Sequence, residues 1–316
     1  MTEHPERREF RPVEICQIPA IRAAFPSMGQ LHEEMLRHYE QGGLLQRILE
    51  GLKALGKDLD VLTHEDLAPA DEFHSAGRSA TRALAELARI PQGSRVLDVG
   101  SGLGGPARYL AATLGCDVTG IDLTPDFCAV ANALSRMTRL SDRTRFQVGD
   151  ALELPFVESS FDVVWTIQMQ MNIEDKRRLY SGIARVLRPG GLFVCQDICA
   201  GNGEPIELPV PWASRPEQSH LADTESLRGL VRGAGMRERA WREITADIVA
   251  ARKAQQAKTQ ASGVSGASAL PPLGMHLVLG DQAAVKMSNS ARNTDAGRTV
   301  FVQGVFEKPG SPPPRG

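Results

Sequence analysis

The sequence predicts an α/β domain in which helices cover both faces of a mostly parallel sheet. Between residues 95 and 197, short β-prone runs alternate with amphipathic segments of helical length. A glycine-rich turn joins the first of these strands to its helix. The chain has 316 residues, 42% of them apolar and 23% charged, which is typical of a globular protein. These observations predict one large domain with additions at both ends.

The elements follow in chain order. Apolar residues recur at helical spacing from Gln30 to Gly56, and Gly42-Gly43 is expected to divide this stretch into two helices. The next predicted helix is Ala76–Leu87. The alternating part then reads as strand Arg95–Val99, helix Pro106–Leu114, strand Asp117–Ile121, helix Pro125–Thr138, strand Thr144–Val148, strand Phe161–Thr166, helix Lys176–Leu187 and strand Gly191–Asp197.

The last third of the chain has a less regular pattern. It predicts, in order, helix Glu225–Gly233, strand Arg239–Ile244, helix Ala246–Ala261, a flexible segment Ala261–Ala269, and β-prone runs at Gly274–Leu279 and Thr299–Phe306. We therefore expect an N-terminal arm and helical cap over 1–70 and the main domain over 71–308. A lid insertion is expected over about 241–273, before the last strands, and a disordered proline-rich tail over 309–316.

Charge and cysteine content limit the partners of the chain. A formal net charge of −2 provides no overall attraction to nucleic acid or to an anionic membrane. The charged N-terminus and the lack of a long apolar run predict neither a signal peptide nor a transmembrane helix. Five scattered cysteines without a CxxC motif indicate reduced thiols and a cytoplasmic protein without a metal site. We expect no nucleic-acid partner and no membrane partner.

The glycine-rich turn after the first strand is the most informative segment. Gly100, Gly102 and Gly105 satisfy the pattern GxGxxG, in which glycines allow close approach of a ligand to the backbone. This pattern alone is compatible with a dinucleotide site, so an NAD-dependent dehydrogenase stays open at this point.

Three acidic residues near the ends of the first three strands limit the class of ligand that the site is expected to bind. Asp98 precedes the glycine turn, Asp122 ends the second strand and Asp150 follows the third. Asp122 could accept the ribose hydroxyls of a dinucleotide or of another adenosine-containing ligand. A dinucleotide, however, does not usually need acids at the positions of Asp98 and Asp150. A carboxylate-rich pocket suits a ligand that carries a sulfonium and an ammonium group and no pyrophosphate.

Residues 72–200 resemble the class I S-adenosylmethionine (SAM)-dependent methyltransferases. The resemblance is closest to the small-molecule branch that contains the ubiquinone/menaquinone and the sarcosine/dimethylglycine methyltransferases. It is carried by VLDVGSGLGGPARYLA (96–111), VTGIDLT (118–124), GDALELPF (149–156), FDVVW (161–165) and VLRPGGLF (186–193). The resemblance implies a Rossmann-like sheet of seven strands, the last antiparallel, with SAM bound across the strand C-termini.

The resemblance also implies positions for the site residues. The cofactor-binding residues would be Asp98, Gly100, Ser101, Gly102, Asp122, Leu123, Asp150, Ala151, Thr166 and Gln168. The segment from Asp71 to Arg78 would close over the methionine end of SAM. The acceptor is expected beside Met169, Met171, Asn172 and Trp212, although core packing accounts for the two methionines at least as well.

Methyl transfer from a sulfonium is an in-line displacement that needs positioning and water exclusion, and a base only for some acceptors. The candidate catalytic residues are His74, Gln168 and His276, with Asp197 as a further candidate base. The sequence predicts methylation of a small-molecule acceptor, with secondary metabolism as the setting. The methylated atom (N, O, C or S) and a homodimer are left open. A SAM-binding protein without catalysis, a nucleic-acid methyltransferase and an NAD-dependent dehydrogenase are the alternatives.

Overall fold

A seven-stranded sheet forms the centre of the structure, a computed structural model that describes residues 43–261 and 271–310. The strands are β1 (Arg95–Val99), β2 (Asp117–Asp122), β3 (Thr144–Val148), β4 (Phe161–Ile167), β5 (Leu187–Ala200), β6 (Arg237–Glu243) and β7 (Thr299–Glu307). Their order across the sheet is β3-β2-β1-β4-β5-β7-β6. Strands β1 to β5 pair in parallel, and β7 runs antiparallel to both β5 and β6. The predicted Rossmann-like sheet with an antiparallel last strand is confirmed.

Helices precede, connect and follow these strands. Within the described residues they are α1 (Leu44–Ala54), α2 (His64–Asp71), α3 (Gly77–Ala88), α4 (Gly105–Leu114), α5 (Pro125–Met137), α6 (Lys176–Val186), α7 (Thr224–Gly233), α8 (Thr245–Ala261), α9 (His276–Leu279) and α10 (Ala283–Asp295). Most predicted bounds differ from these by one or two residues, because caps shift the ends of elements more than their centres.

Both faces of the sheet are buried, as parallel pairing requires. On one face, α6 and α7 pack on the sheet through residues such as Ile183 and Leu227. On the other, α3, α4 and α5 pack through residues such as Leu84, Leu110 and Ala131. Trp165 of β4 has no exposed surface. Because strand side chains alternate between two apolar layers, the C-terminal ends of β1, β2 and β4 are held rigidly at one edge.

A third apolar cluster attaches the helical cap. Leu44, Ile48 and Leu52 of α1 are buried against the outer side of α5, which contributes Phe127 and Leu134. The cap therefore lies over the side of the sheet that carries the glycine turn. The predicted helix before Gly42 lies outside the described residues, as does most of the predicted flexible segment Ala261–Ala269 and of the predicted disordered tail 309–316.

One expectation for the last third of the chain is wrong, and two helices of the chain were missed. The run Gly274–Leu279 does not form a strand. It forms a turn followed by α9. Helix α10, which the sequence did not predict, separates that turn from β7, and α2 was also not predicted. No helix of the described residues is long and apolar enough to cross a membrane.

Candidate active site

A cavity of about 150 Å³ opens at the C-terminal ends of β1, β2 and β4. In an open α/β sheet this edge, where the strand order reverses beside β1, is the usual ligand site. Nine of the ten residues predicted to bind the cofactor line this cavity, and the exception is Thr166, which is buried within β4. The sequence therefore located the cavity, whereas the role of each residue in binding remains a prediction.

The floor of this cavity is the turn between β1 and α4. Gly100, Gly102 and Gly104 have φ angles of 74°, 51° and 79°. Such positive values are unfavourable for residues that carry a Cβ atom. A Cβ atom on Gly100 would stand 2.8 Å from Cβ of Met169. The backbone N–H of Gly100 donates to the carbonyl of Ile121 at 2.9 Å, which ties the turn to β2. The backbone conformation thus favours glycine at all three positions, and lack of space also requires it at Gly100 and Gly104.

Asp122 fixes the turn from the neighbouring strand. One carboxylate oxygen accepts the backbone N–H of Gly102 and the other accepts that of Thr124, both at 2.9 Å. Burial raises the pKa of Asp122, and these amide hydrogen bonds oppose that rise. Asp150 similarly accepts the N–H of Leu152 at 2.8 Å at the end of β3. Two carboxylates at the predicted adenosine end are therefore held by backbone donors.

Asp98 lies behind the same turn, and its hydrogen bonding differs from that of Asp122 and Asp150. Its side chain is 2% exposed, and Oδ2 has no hydrogen-bonding partner among the described residues. Burial, and then the negative charge of Asp122, raise the pKa of Asp98 to about 8. The hydroxyl of Ser101 is likewise buried without a partner. These polar atoms leave hydrogen bonds that a ligand could complete.

The segment between α2 and α3 forms another wall. His74 Nε2 lies 2.6 Å from Glu72 Oε2, which also accepts the hydroxyl of Thr81 at 2.7 Å. The Nε atom of Arg78 lies 3.1 Å from the other Glu72 oxygen. Burial would raise the pKa of Glu72, but the hydrogen bond and charge of His74, together with Arg78, hold it below its usual range. A histidine backed by a carboxylate therefore faces the cavity.

Gln168 stands at the junction of two cavities. Its φ is 48°, a rare value for a residue with a side chain, and its backbone N–H donates to the carbonyl of Gln196 at 2.7 Å. Side-chain Oε1 accepts the N–H of Ser75 at 3.1 Å, while buried Nε2 has no acceptor among the described residues. This strained, fixed residue separates the first cavity from a second one.

The second cavity, of about 500 Å³, shares Phe73, His74 and Gln168 with the first. Met171 and Trp212 line it, and the Trp212 ring N–H donates to the Ser219 hydroxyl at 3.0 Å. The other two predicted acceptor residues, Met169 and Asn172, line the first cavity instead. The amide nitrogen of Asn172 is engaged by the carbonyl of Trp212 at 2.8 Å.

Two candidate bases are placed away from both cavities. His276 begins α9 and Asp197 is buried in β5, and neither lines a cavity. Burial raises the pKa of Asp197 to about 8, although the amide of Gln170 and the charge of Lys176 oppose this. Of the candidate bases, His74 alone lies beside the cavities.

Sequence reasoning missed a buried ion pair that supports the first cavity. Arg108 Nη2 lies 2.8 Å from Asp71 Oδ2, and both side chains are fully buried. Arg108 also donates to the carbonyl of Ala131 at 3.0 Å. Asp71 lines the cavity, and burial raises its pKa. The PARYLA motif contained Arg108, but the partner lies 37 residues earlier in the chain. No sequence pattern signals such a distant pairing.

No group of three or more His, Cys, Asp or Glu residues within the described ranges has the arrangement of a metal site. Among the described residues, four cysteines are free and buried: Cys116, Cys128, Cys195 and Cys199.

Comparison with known proteins gives a family for the central part of the chain. A family profile described as a methyltransferase domain matches residues 97–195. A probable tocopherol O-methyltransferase from Oryza sativa is 45% identical over 112 residues, which cover 35% of this chain and 31% of that protein.

Residues 97–195 of the chain are thus similar to a methyltransferase domain.

Solved structures share the fold of this methyltransferase domain. A phosphoethanolamine N-methyltransferase 2 from Haemonchus contortus, in complex with phosphomonomethylethanolamine and S-adenosylhomocysteine (SAH), has a TM-score of 0.60 at 21% identity, covering 75% of this chain and 54% of that one. The [4+2]-cyclase SpnF has a TM-score of 0.60 at 22% identity, covering 94% and 100%. A fold shared with a cyclase does not by itself determine the reaction.

The methyltransferase domain spans less than half the length of the first curated relatives that it matches. Function must therefore be argued from the two cavities.

Proposed function

We propose that the protein transfers the methyl group of SAM to a small-molecule acceptor and releases SAH. The observation that carries this proposal is the pair of adjoining cavities, which meet at Phe73, His74 and Gln168. A methyl donor in the first cavity and an acceptor in the second would meet at this wall, which is what an in-line displacement requires.

The residues of the first cavity fit SAM. The described residues that line it include Asp71, Asp98, Asp122 and Asp150 but no lysine or arginine. Such a cavity favours a cationic ligand and disfavours a pyrophosphate. The unpartnered Oδ2 of Asp98 is suited to an ammonium group, and Asp122 and Asp150 remain suited to the adenosine. These features support SAM over a nicotinamide dinucleotide, despite the GxGxxG pattern.

When bound, SAM supplies an electrophilic methyl group on a sulfonium. The chain would bind and orient it through the glycine turn and the acids. Gln168 and His74 stand at the shared wall, where both can orient an acceptor atom. For a protic acceptor, His74 can receive the proton at Nδ1, since Nε2 is hydrogen-bonded to Glu72. The Glu72 carboxylate, 2.6 Å from His74, is placed to stabilise the protonated ring. The second cavity supports a transferase over a protein that only binds SAM.

Calorimetry with SAH tests the donor site. Replacing Asp122 by alanine is expected to weaken SAH binding by roughly 1–3 kcal/mol, because charged hydrogen bonds are lost. The matched control is Asp162→Ala at the opposite edge of the sheet, where Asp162 accepts the N–H of Arg95 at 2.7 Å. Both variants lose a carboxylate bonded to the backbone, so both should melt earlier, but the control should bind SAH as the wild type does.

Equal loss of SAH affinity in both variants would mean that Asp122 acts through stability alone. Wild-type protein that binds neither SAM nor SAH at millimolar concentration would refute the proposal. SAH release on incubation with SAM and a metabolite pool separates a transferase from a SAM-binding protein without catalysis.

The finer expectations from the sequence remain predictions. These are a cytoplasmic location, a setting in secondary metabolism and the open question of a homodimer. The second cavity supports the small-molecule part of the proposal, since its volume of about 500 Å³ is that of a small-molecule pocket and more than half of its lining residues are apolar.

A further inference from the structure

We propose that the acceptor is a neutral, largely apolar ring compound with a hydroxyl or carbonyl oxygen at the end next to Gln168. This inference rests on the proposed function, because it assigns an acceptor class to the second cavity. It is carried by the size of the cavity, by its charges and by the placement of its polar groups.

The size and the walls of the cavity favour a bulky apolar molecule. Its volume of about 500 Å³ lies within the range of pockets that enclose drug-sized ligands. The middle of the cavity is apolar, with Met171, Ile198, Trp212, Ile248 and Phe301 around it. Apart from Ile248, these residues are buried in a cluster that is separate from the two layers of the sheet. A small hydrophilic acceptor would leave most of this apolar surface without contacts.

The charges of the cavity disfavour an anionic acceptor. Of the described residues that line it, Arg252 is the only lysine or arginine, and none is an aspartate or glutamate. Arg252 is already engaged, because Nη2 lies 2.5 Å from Asp295 Oδ1 and Nη1 donates to the carbonyl of Ala291 at 3.2 Å. Recognition of a phosphate normally uses several charged or backbone donors. The similar Haemonchus protein binds a phosphorylated acceptor, but this cavity does not offer the free cations that such a group needs.

Polar groups at the wall shared with the first cavity can meet an acceptor oxygen next to the methyl donor. Ser75, His74 and Gln168 line this end. Five further uncharged polar side chains line the second cavity but not the first: Ser79, Gln255, Gln256, Ser290 and Thr294. Gln168 Oε1 is held by Ser75, which orients the amide so that its donor group, Nε2, is the atom left without a partner. A buried donor without an acceptor is unfavourable, and an oxygen on the bound molecule would relieve this. A hydrocarbon or an ammonium group at this position would not.

Fluorescence titration of the SAH-saturated protein with 2-naphthol tests the inference. We expect saturable binding of 2-naphthol that is at least ten-fold tighter than that of 2-naphthyl phosphate, which tests charge. We also expect 2-naphthol to bind more tightly than 2-methylnaphthalene, and this comparison tests whether the site recognises an oxygen atom on the ring. Replacing Gln168 by leucine should remove most of the preference for 2-naphthol over 2-methylnaphthalene.

Two variants on α10 test whether 2-naphthol binds in the second cavity. Ala291 lines the cavity, so Ala291→Phe should reduce 2-naphthol binding at least ten-fold. Ala284 lies on the same helix, is exposed and does not line the cavity, so Ala284→Phe should leave binding unchanged. Both variants should bind SAH normally by calorimetry.

Three results would overturn the inference: no saturable binding of 2-naphthol, binding of the phosphate that is as tight or tighter, or binding that Ala291→Phe does not affect. In each case normal SAH binding in the same preparation would leave the proposed function standing. Loss of SAH binding by the wild type would instead refute the proposed function.

Discussion

At the scale of single residues, Asp98 combines burial with an unsatisfied oxygen. Its pKa of about 8 means that the folded protein retains a proton that the unfolded chain releases near pH 4. The stability contributed by this residue therefore falls as the pH rises from about 4 to about 8. A cationic ligand group beside the Asp98 carboxylate would offset the cost of burying its charge. Asp98 therefore destabilises the ligand-free protein more than it would destabilise a complex.

Replacing Asp98 by asparagine should stabilise the ligand-free protein at alkaline pH. We expect the free energy of unfolding of Asp98→Asn to exceed that of the wild type by roughly 1–3 kcal/mol at pH 8.5, because the variant has no buried charge to form. The difference should shrink as the pH is lowered towards 4. Urea unfolding at several pH values measures this. Parallel pH profiles for the two proteins would show that Asp98 does not titrate as the structure indicates.

At the scale of elements, the segment that enters α3 is under backbone strain. Ala76 precedes the helix with φ 63° and ψ 6°, a left-handed conformation that is unfavourable for a residue with a Cβ atom. This position lies in the segment from Asp71 to Arg78, which was expected from the sequence to close over the methionine end of SAM. The segment lines the second cavity, so the strain lies at the wall where an acceptor would bind.

Replacing Ala76 by glycine should relieve this strain. We expect stabilisation of about 0.5–1 kcal/mol, since glycine adopts positive φ without steric cost. The matched control is Ala83→Gly within α3, which should destabilise the protein by a similar amount, because Ala83 has ordinary helical geometry. Thermal melts of both variants decide the point. A lower melting temperature for Ala76→Gly would show that the left-handed backbone is not strained.

Helix α10 shows why part of the roof of the second cavity escaped prediction. Its buried positions include Asn289 and Asn293 rather than an apolar stripe. Asn293 accepts the N–H of Glu207 at 2.7 Å and donates to its carbonyl at 2.9 Å. Asn289 donates to the carbonyl of Pro209 at 3.0 Å. A helix that docks through amide hydrogen bonds has no hydrophobic period, so periodicity could not reveal it.

At the scale of the whole molecule, the parts that the sequence predicted are those with local signals. Strands β1 to β5 have apolar runs bounded by turn residues, and the glycine turn located the first cavity. The second cavity could not be predicted, because its walls come from separate elements between Phe73 and Phe301. The run Gly274–Leu279 was misread, because a short apolar segment does not distinguish strand from helix.

Ligand binding should stabilise the molecule as a whole. SAH at one hundred times its dissociation constant adds about 2.7 kcal/mol to the free energy of unfolding. For a chain of 316 residues, that corresponds to a rise of roughly 4 °C in melting temperature. Differential scanning fluorimetry over a range of SAH concentrations measures the rise. A melting temperature that does not depend on SAH would contradict binding to the folded state.

The walls of the first cavity all come from residues between Asp71 and Ile173, whereas the second is completed by Ile248, Ala291 and Phe301. Strand β7 follows β6 in the chain but inserts between β5 and β6. As the chain leaves the ribosome, the residues that line the first cavity therefore emerge well before the last residues that line the second. Recombination beyond residue 200 would exchange the far wall of the second cavity while the coding segment for the first cavity and for Gln168 stays intact.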